Sequence, residues 1–217
     1  MVQIAQLSEL AKTLSALKSY QSIEPQTGAV VNNIKYLQGN PRQYRFNGQN
    51  GRFNINGIKD LGNSLEFSPV AWRIFYAELF GRKNRDLWAE LFFIDADNCV
   101  CSIMFNNTSA QILQTMLSQL VYDGLLLESV ILRVISEKRT NEKANGTYYV
   151  AQFTYSETPP ESLIIQKEYA ADFMVFRQDT ITDAEEITFC SDSYRSPALL
   201  SRKEYLVSNI ECSAELT

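Results

Sequence analysis

Between Gln26 and Lys59 five cations (Lys35, Arg42, Arg45, Arg52 and Lys59) interleave with Tyr36, Tyr44, Phe46 and Phe53, and the segment holds no acidic residue. Cations neutralise phosphates and flat rings stack on bases, so the pairing suits single-stranded nucleic acid. Gly39-Asn40-Pro41, Asn47-Gly48 and Asn50-Gly51 mark successive turns, which makes the segment a run of short hairpins. The bland reading is one more hairpin whose aromatics are buried with Val30, Val31 and Ile34; composition leaves both open.

Other chemistries have less to work with. The chain has no histidine, which removes Ser-His and Cys-His nucleophiles, the common zinc sets and the usual neutral-pH acid or base. It has no G-x-S-x-G, no Walker loop and no G-x-G-x-x-G. Asp95 and Asp97 could contribute to a Mg²⁺ site, yet Asp95-Ala96-Asp97-Asn98 is explained by turn chemistry alone. Cys99 and Cys101 share one face of an extended strand and read as small core residues; Cys190 and Cys212 do not complete a disulfide framework. The expectation is a protein that is not an enzyme, with no catalytic residues, no metal and no cofactor.

The elements that must position the cations lie between Leu65 and Ser156. Leu65 to Phe80 reads as a first strand, and Leu87 to Ile94 and Cys99 to Phe105 are apolar, β-rich runs joined by the Asp95–Asn98 turn. Strands this apolar need cover on both faces. Ile112, Leu113, Met116, Leu117 and Leu120 form a helical stripe within Thr108 to Tyr122, capped by Thr108 or Ser109 and stopped at Asp123-Gly124. Leu125 to Lys138 and Thr147 to Ser156 supply two more strands. Residues 4–20 place Ile4, Leu7, Leu10, Leu14 and Leu17 three or four apart, an amphipathic helix.

The order β-β-β-α-β-β over about ninety residues resembles the OB-fold, a five-stranded barrel with a helix between strands three and four. The resemblance rests on element order and loop placement. It implies that the loops between strands one and two and between strands four and five grip an oligonucleotide. Arg82, Lys83 and Arg85 stand in the first, and Lys138, Arg139 and Lys143 in the second. It also implies that rings on the exposed face of strands two and three stack on bases, with Trp88 the first choice and Tyr148 beside the second loop.

Net charge divides along the chain. Residues 25–156 hold eleven acids and thirteen bases, net plus two, whereas residues 157–217 hold twelve acids and five bases, net minus seven. The overall −5 therefore hides a mildly basic body. Four segments are expected: an amphipathic helix at 1–24, a basic aromatic hairpin segment at 25–64, an OB-like barrel at 65–158, and an acidic C-terminal extension at 159–217, ordered by its apolar residues and packed on or beside the barrel. The fold class is mainly β with α. No stretch is apolar and long enough for a signal-peptide core or a membrane span, so the expected location is cytoplasmic.

The function this supports is binding of single-stranded nucleic acid, DNA first, through Lys35, Arg42, Tyr44, Arg45, Phe46, Arg52, Arg82, Lys83, Arg85, Trp88, Lys138, Arg139, Lys143 and Tyr148. The alternative is a protein-interaction or assembly module, such as a phage or mobile-element accessory factor using the barrel as an adaptor. The acidic extension offers a surface to a protein partner, and the first helix to a homo-oligomer.

Overall fold

A computed structural model describes residues 16–141 and 146–201. Twelve strands and two α-helices are described. They are β1 (Gln21–Ile23), β2 (Val30–Asn32), β3 (Arg42–Asn47), β4 (Arg52–Ile55), β5 (Lys59–Gly62), β6 (Ser64–Phe67), β7 (Pro69–Ala77), β8 (Asp86–Ile94), β9 (Val100–Asn106), α1 (Asn107–Tyr122), β10 (Val130–Asn141), β11 (Gly146–Glu157), α2 (Pro160–Asp172) and β12 (Glu186–Cys190). The fold is mainly β. Seven strands form one sheet in the order β12-β7-β8-β9-β3-β4-β5, three form a second, β11-β10-β6, and β1 pairs with β2. Among the described residues no helix is long and apolar enough to cross a membrane.

The β7-β8-β9 meander is the framework, and its sequence explains its position. β8 is buried over Leu87–Phe93, with alternate residues facing different cores. Leu87, Ala89, Leu91 and Phe93 join Ile74, Ile103, Phe105 and the α1 residues Leu113, Met116 and Leu120 in the main core. On the other face Phe92 joins Ala71, Val100, Tyr20, Tyr169, Val175, Phe176 and Tyr194. The expected double cover is thus supplied by α1 on one side and by residues 160–201 with the Tyr20 segment on the other. The cross-strand pairs Arg73↔Glu90 and Phe75↔Trp88 belong to this second face.

The expected hairpin turn forms between β8 and β9. Asp95 Oδ1 accepts the backbone N–H groups of Asp97 and Cys99, each at 3.0 Å, and Asn98 takes φ +57°, a conformation asparagine tolerates. Arg42 Nη1 bonds Asp95 at 2.8 Å and Asp97 at 2.7 Å, so a guanidinium occupies the place a cation would take. No group of three or more metal-capable side chains occurs among the described residues. Burial raises the Asp95 carboxyl, but Cys99 N–H, the Cys101 thiol, Arg42 and Tyr44 outweigh it and leave it below the usual range. A depressed carboxyl contributes stability above its unfolded pKa of about 4, and that contribution is lost as pH falls through the folded value. Acid titration of unfolding stability is therefore expected to show a decline below about pH 4 that is shallower in Asp95→Asn.

Several expectations need correction. The two larger sheets are open, and a closed five-stranded barrel does not form: β9 pairs in parallel with β3 instead of meeting β11. The basic segment supplies that strand together with the apolar rings of Tyr44, Phe46 and Phe53, which fill the space. β11 meets the β3–β4 turn at its tip, where Tyr149 N–H bonds the Gly48 carbonyl at 2.8 Å. Here Gly51 has φ +72°, and a Cβ would lie 2.5 Å from the Tyr149 ring, so only glycine fits. The first predicted strand is bent at Ser68 into β6, which pairs with β10, and β7, which pairs with β8. α1 begins at Asn107, with Asn106 as an N-cap that makes no side-chain bond. Thr108 and Ser109, expected as caps, therefore stand inside its first turn, where Ser109 Oγ accepts the Ala151 N–H at 3.0 Å. The helix predicted over residues 4–20 lies outside the described residues as far as residue 15. It does not run on through the described 17–20, which are turn and coil, and Gln21–Ile23, inside the segment expected to be helical, is strand β1. In the acidic extension Pro160–Asp172 form α2, with Pro160 in its first turn.

Candidate nucleic-acid interface

The outer face of β3, β9 and β8 is left open at one end. Residues 160–201 cover it over Arg73 and Glu90, but beyond them Arg45, Met104, Asn106 and Trp88 line a groove of about 380 Å³. Pairing places these side chains together: Arg45 is opposite Met104, and Trp88 is opposite Asn106. The β7–β8 loop brings Phe80 and Arg82 to one wall, and Arg177 reaches in from the C-terminal extension. A second hollow of about 240 Å³ shares Phe46, Met104 and Asn106 with the first and continues to Tyr148 and Tyr149. The two make one path from the β7–β8 loop to the start of β11.

The chemistry of this path is cationic and aromatic. Three arginines line the main groove and, among the described residues, no carboxylate does. Phe80 is 57% exposed at φ +57°, a conformation that costs a phenylalanine about 1 kcal/mol or more. Its ring meets Trp88 edge-on at 5.6 Å, and the Arg177 guanidinium lies 5.6 Å from its centroid. Arg82 lies 5.1 Å over the Trp88 ring. Trp88 is itself buried, with its indole N–H donating to the Ala77 carbonyl at 3.1 Å. It is therefore a floor for Phe80 and Arg82, and the expectation that Trp88 itself presents a stacking face is corrected.

Two of the three arginines carry their own counter-ions. Arg82 bonds Asp86 at 2.9 Å, and Arg177 is held bidentately by Asp179, at 2.5 Å from Nε and 2.7 Å from Nη2. Arg45 bonds only the Gln43 amide, at 3.0 Å, among the described residues.

Of the residues singled out from sequence, Tyr44, Arg45, Phe46, Arg82 and Trp88 line the groove and Tyr148 its continuation. Tyr44 is mostly buried, its hydroxyl donating to Asp95 at 3.2 Å. The others lie elsewhere. Lys35 and Arg42 sit at the opposite end of β3, where Arg42 is committed to Asp95 and Asp97. Arg52 pairs with Asp60, Arg85 with Glu186 at 2.9 Å, and Arg139 with Glu137 at 3.0 Å. Lys83 is exposed on the β7–β8 loop outside the groove lining. Lys138 and Arg139 stand within β10, opposite Tyr149 and Tyr148, because that hairpin extends further than its polar sequence suggests. Lys143 lies outside the described residues.

Sequence reading missed Phe80, Met104, Asn106 and Arg177. Phe80-Gly81 could have been found as an aromatic stranded between a strand end and a basic loop. Arg177 had no local signal, since it stands in the region of the chain that is acidic on average.

Next to the groove lies a fully buried ionic cluster. Arg73 donates to Glu90 at 2.9 Å, to Glu185 at 2.7 Å, and to the carbonyl and hydroxyl of Thr180 at 3.0 and 2.9 Å. Its guanidinium also covers the Phe75 ring at 3.9 Å. Burial pushes the Glu90 carboxyl up, against the pull of Arg73, Arg177 and Thr180; one guanidinium is shared between two carboxylates. This cluster fixes residues 178–185, and so Arg177, against the sheet.

Comparison with family models, curated proteins and solved structures gives no match to this chain.

Proposed function

We propose that this protein binds single-stranded nucleic acid, DNA first, in the groove over β3, β9 and β8, and that it does so without catalysis. The observation that carries the proposal is a groove walled by Arg45, Arg82 and Arg177 beside the exposed ring of Phe80, with no carboxylate among the described residues of its lining. Phosphates meet the guanidiniums, one base stacks on Phe80, and the strand continues past Phe46 toward Tyr148. Within this proposal β6–β7, β8, β9, α1, β10 and β11 correspond in order to an OB-like barrel, opened by insertion of β3–β5 between its third and fifth strands. The groove then lies over its second and third strands.

Fluorescence anisotropy of a labelled thymidine oligomer across a salt series tests the proposal. Three arginine–phosphate contacts predict a log-log slope of about −2, from about −0.7 per contact. Arg45→Ala is expected to reduce that slope by about 0.7 and to weaken binding similarly for all sequences. Absence of binding at low salt would refute the reading.

A second reading, self-assembly through a second copy of this chain, has one observation in its favour. Val121, Tyr122 and Leu126 are 71%, 90% and 64% exposed near a cleft of about 430 Å³ to which Leu126 contributes. Light scattering that gives a monomer at every concentration would exclude it.

A further inference from the structure

The groove arginines are not equally available. The Asp179 carboxylate approaches the Arg177 guanidinium edge-on, through Nε and Nη2, in the two-pronged geometry a phosphate would use. Nη1 points into the groove at the Met104 sulfur, 3.7 Å away. The two partners differ in freedom: the Arg177 side chain is 10% exposed and wedged beside the buried cluster, whereas that of Asp179 is 54% exposed. The fixed member is thus the cation, and the carboxylate can swing away into water. Thr180 and Glu185, anchored by Arg73, hold the short turn at Gln178–Thr180 in place, so Asp179 can leave without moving the backbone.

We infer that Asp179 is an internal stand-in for a phosphate, occupying Arg177 in the free protein and yielding it when a nucleic-acid strand enters the groove. This rests on the groove being the binding site. The acidic C-terminal extension then acts twice at one point, supplying an arginine to the groove and supplying that arginine's competitor. A bound strand makes its contact with Arg177 at the expense of an existing ion pair, so wild-type affinity is lower than three uncommitted arginines would give.

The test compares wild type, Asp179→Asn, the double variant Arg177→Gln with Asp179→Asn, and Asp192→Asn, binding a labelled thymidine oligomer across a salt series. Asp192 is exposed on the rim of the other cleft, so its variant controls for the loss of one negative charge. The expected result is that Asp179→Asn tightens binding about threefold or more at an unchanged salt slope of about −2, because the same three contacts form without an ion pair to break, while Asp192→Asn leaves affinity near wild type. The double variant should lose the gain. Asp179→Asn binding no better than Asp192→Asn, or worse than wild type, overturns the inference while the groove reading stands. No binding by wild type or Asp179→Asn at low salt overturns both.

Discussion

Arg73→Ala is expected to destabilise the protein by about 3–5 kcal/mol, the cost of stranding buried charge. Arg73, Glu90 and Glu185 are essentially inaccessible, and Arg73 donates to both carboxylates as well as to Thr180. Removing it leaves two buried carboxylates without the guanidinium they share, and among the described residues Glu90 keeps a hydrogen bond from Thr180 alone. Arg73→Met adds a test of mechanism, since it keeps much of the apolar stem over Phe75 but removes the charge. If packing were the main contribution, Met would restore most of the loss. If charge compensation is, Met should stay close to Ala. Urea unfolding followed by tryptophan fluorescence measures both, and a loss below about 1 kcal/mol for Arg73→Ala would contradict this account.

Phe80→Ala is expected to weaken oligonucleotide binding by about 1–3 kcal/mol, the usual worth of one base stacked on an aromatic ring. Phe80 is more than half exposed, with its ring against Trp88 and the Arg177 guanidinium at the groove wall, so unfolding stability should change by no more than about 1 kcal/mol. The division between a large binding effect and a small stability effect is what separates a stacking platform from a core residue. Phe80→Trp should retain binding, because it keeps a flat ring at the same place. Binding unchanged in Phe80→Ala would remove the central aromatic from the interface.

The strands around the groove were legible because their signals are local. The apolar runs at Leu87–Ile94 and Cys99–Phe105, the Asp95–Asn98 turn and the α1 stripe each follow from a few consecutive residues, and all four formed. What sequence could not show was pairing between distant segments. Nothing in Arg42–Asn47 says that it lies parallel to β9, fifty-odd residues later, yet that pairing keeps the sheet open and places Arg45 beside Met104. The cations were legible by type and not by partner. Arg42, Arg52 and Arg85 looked like phosphate ligands until Asp95, Asp60 and Glu186 were brought to them by folding. Arg73 and Glu90 did carry an overlooked sign, each being a charge in the middle of an apolar strand. Facing each other across β7 and β8, they mark where the C-terminal extension docks and hence how Arg177 reaches the groove.

The central claim is that a single strand lies along the path from Phe80 past Phe46 to Tyr148. Photo-crosslinking with an oligonucleotide carrying 5-iodouracil, followed by peptide mapping, tests it most directly. The account predicts crosslinks in the peptides that contain Phe80, Phe46 and Tyr148. Crosslinks confined to other faces, such as the exposed Tyr122 or the Lys35–Tyr36 end of the sheet, would contradict it.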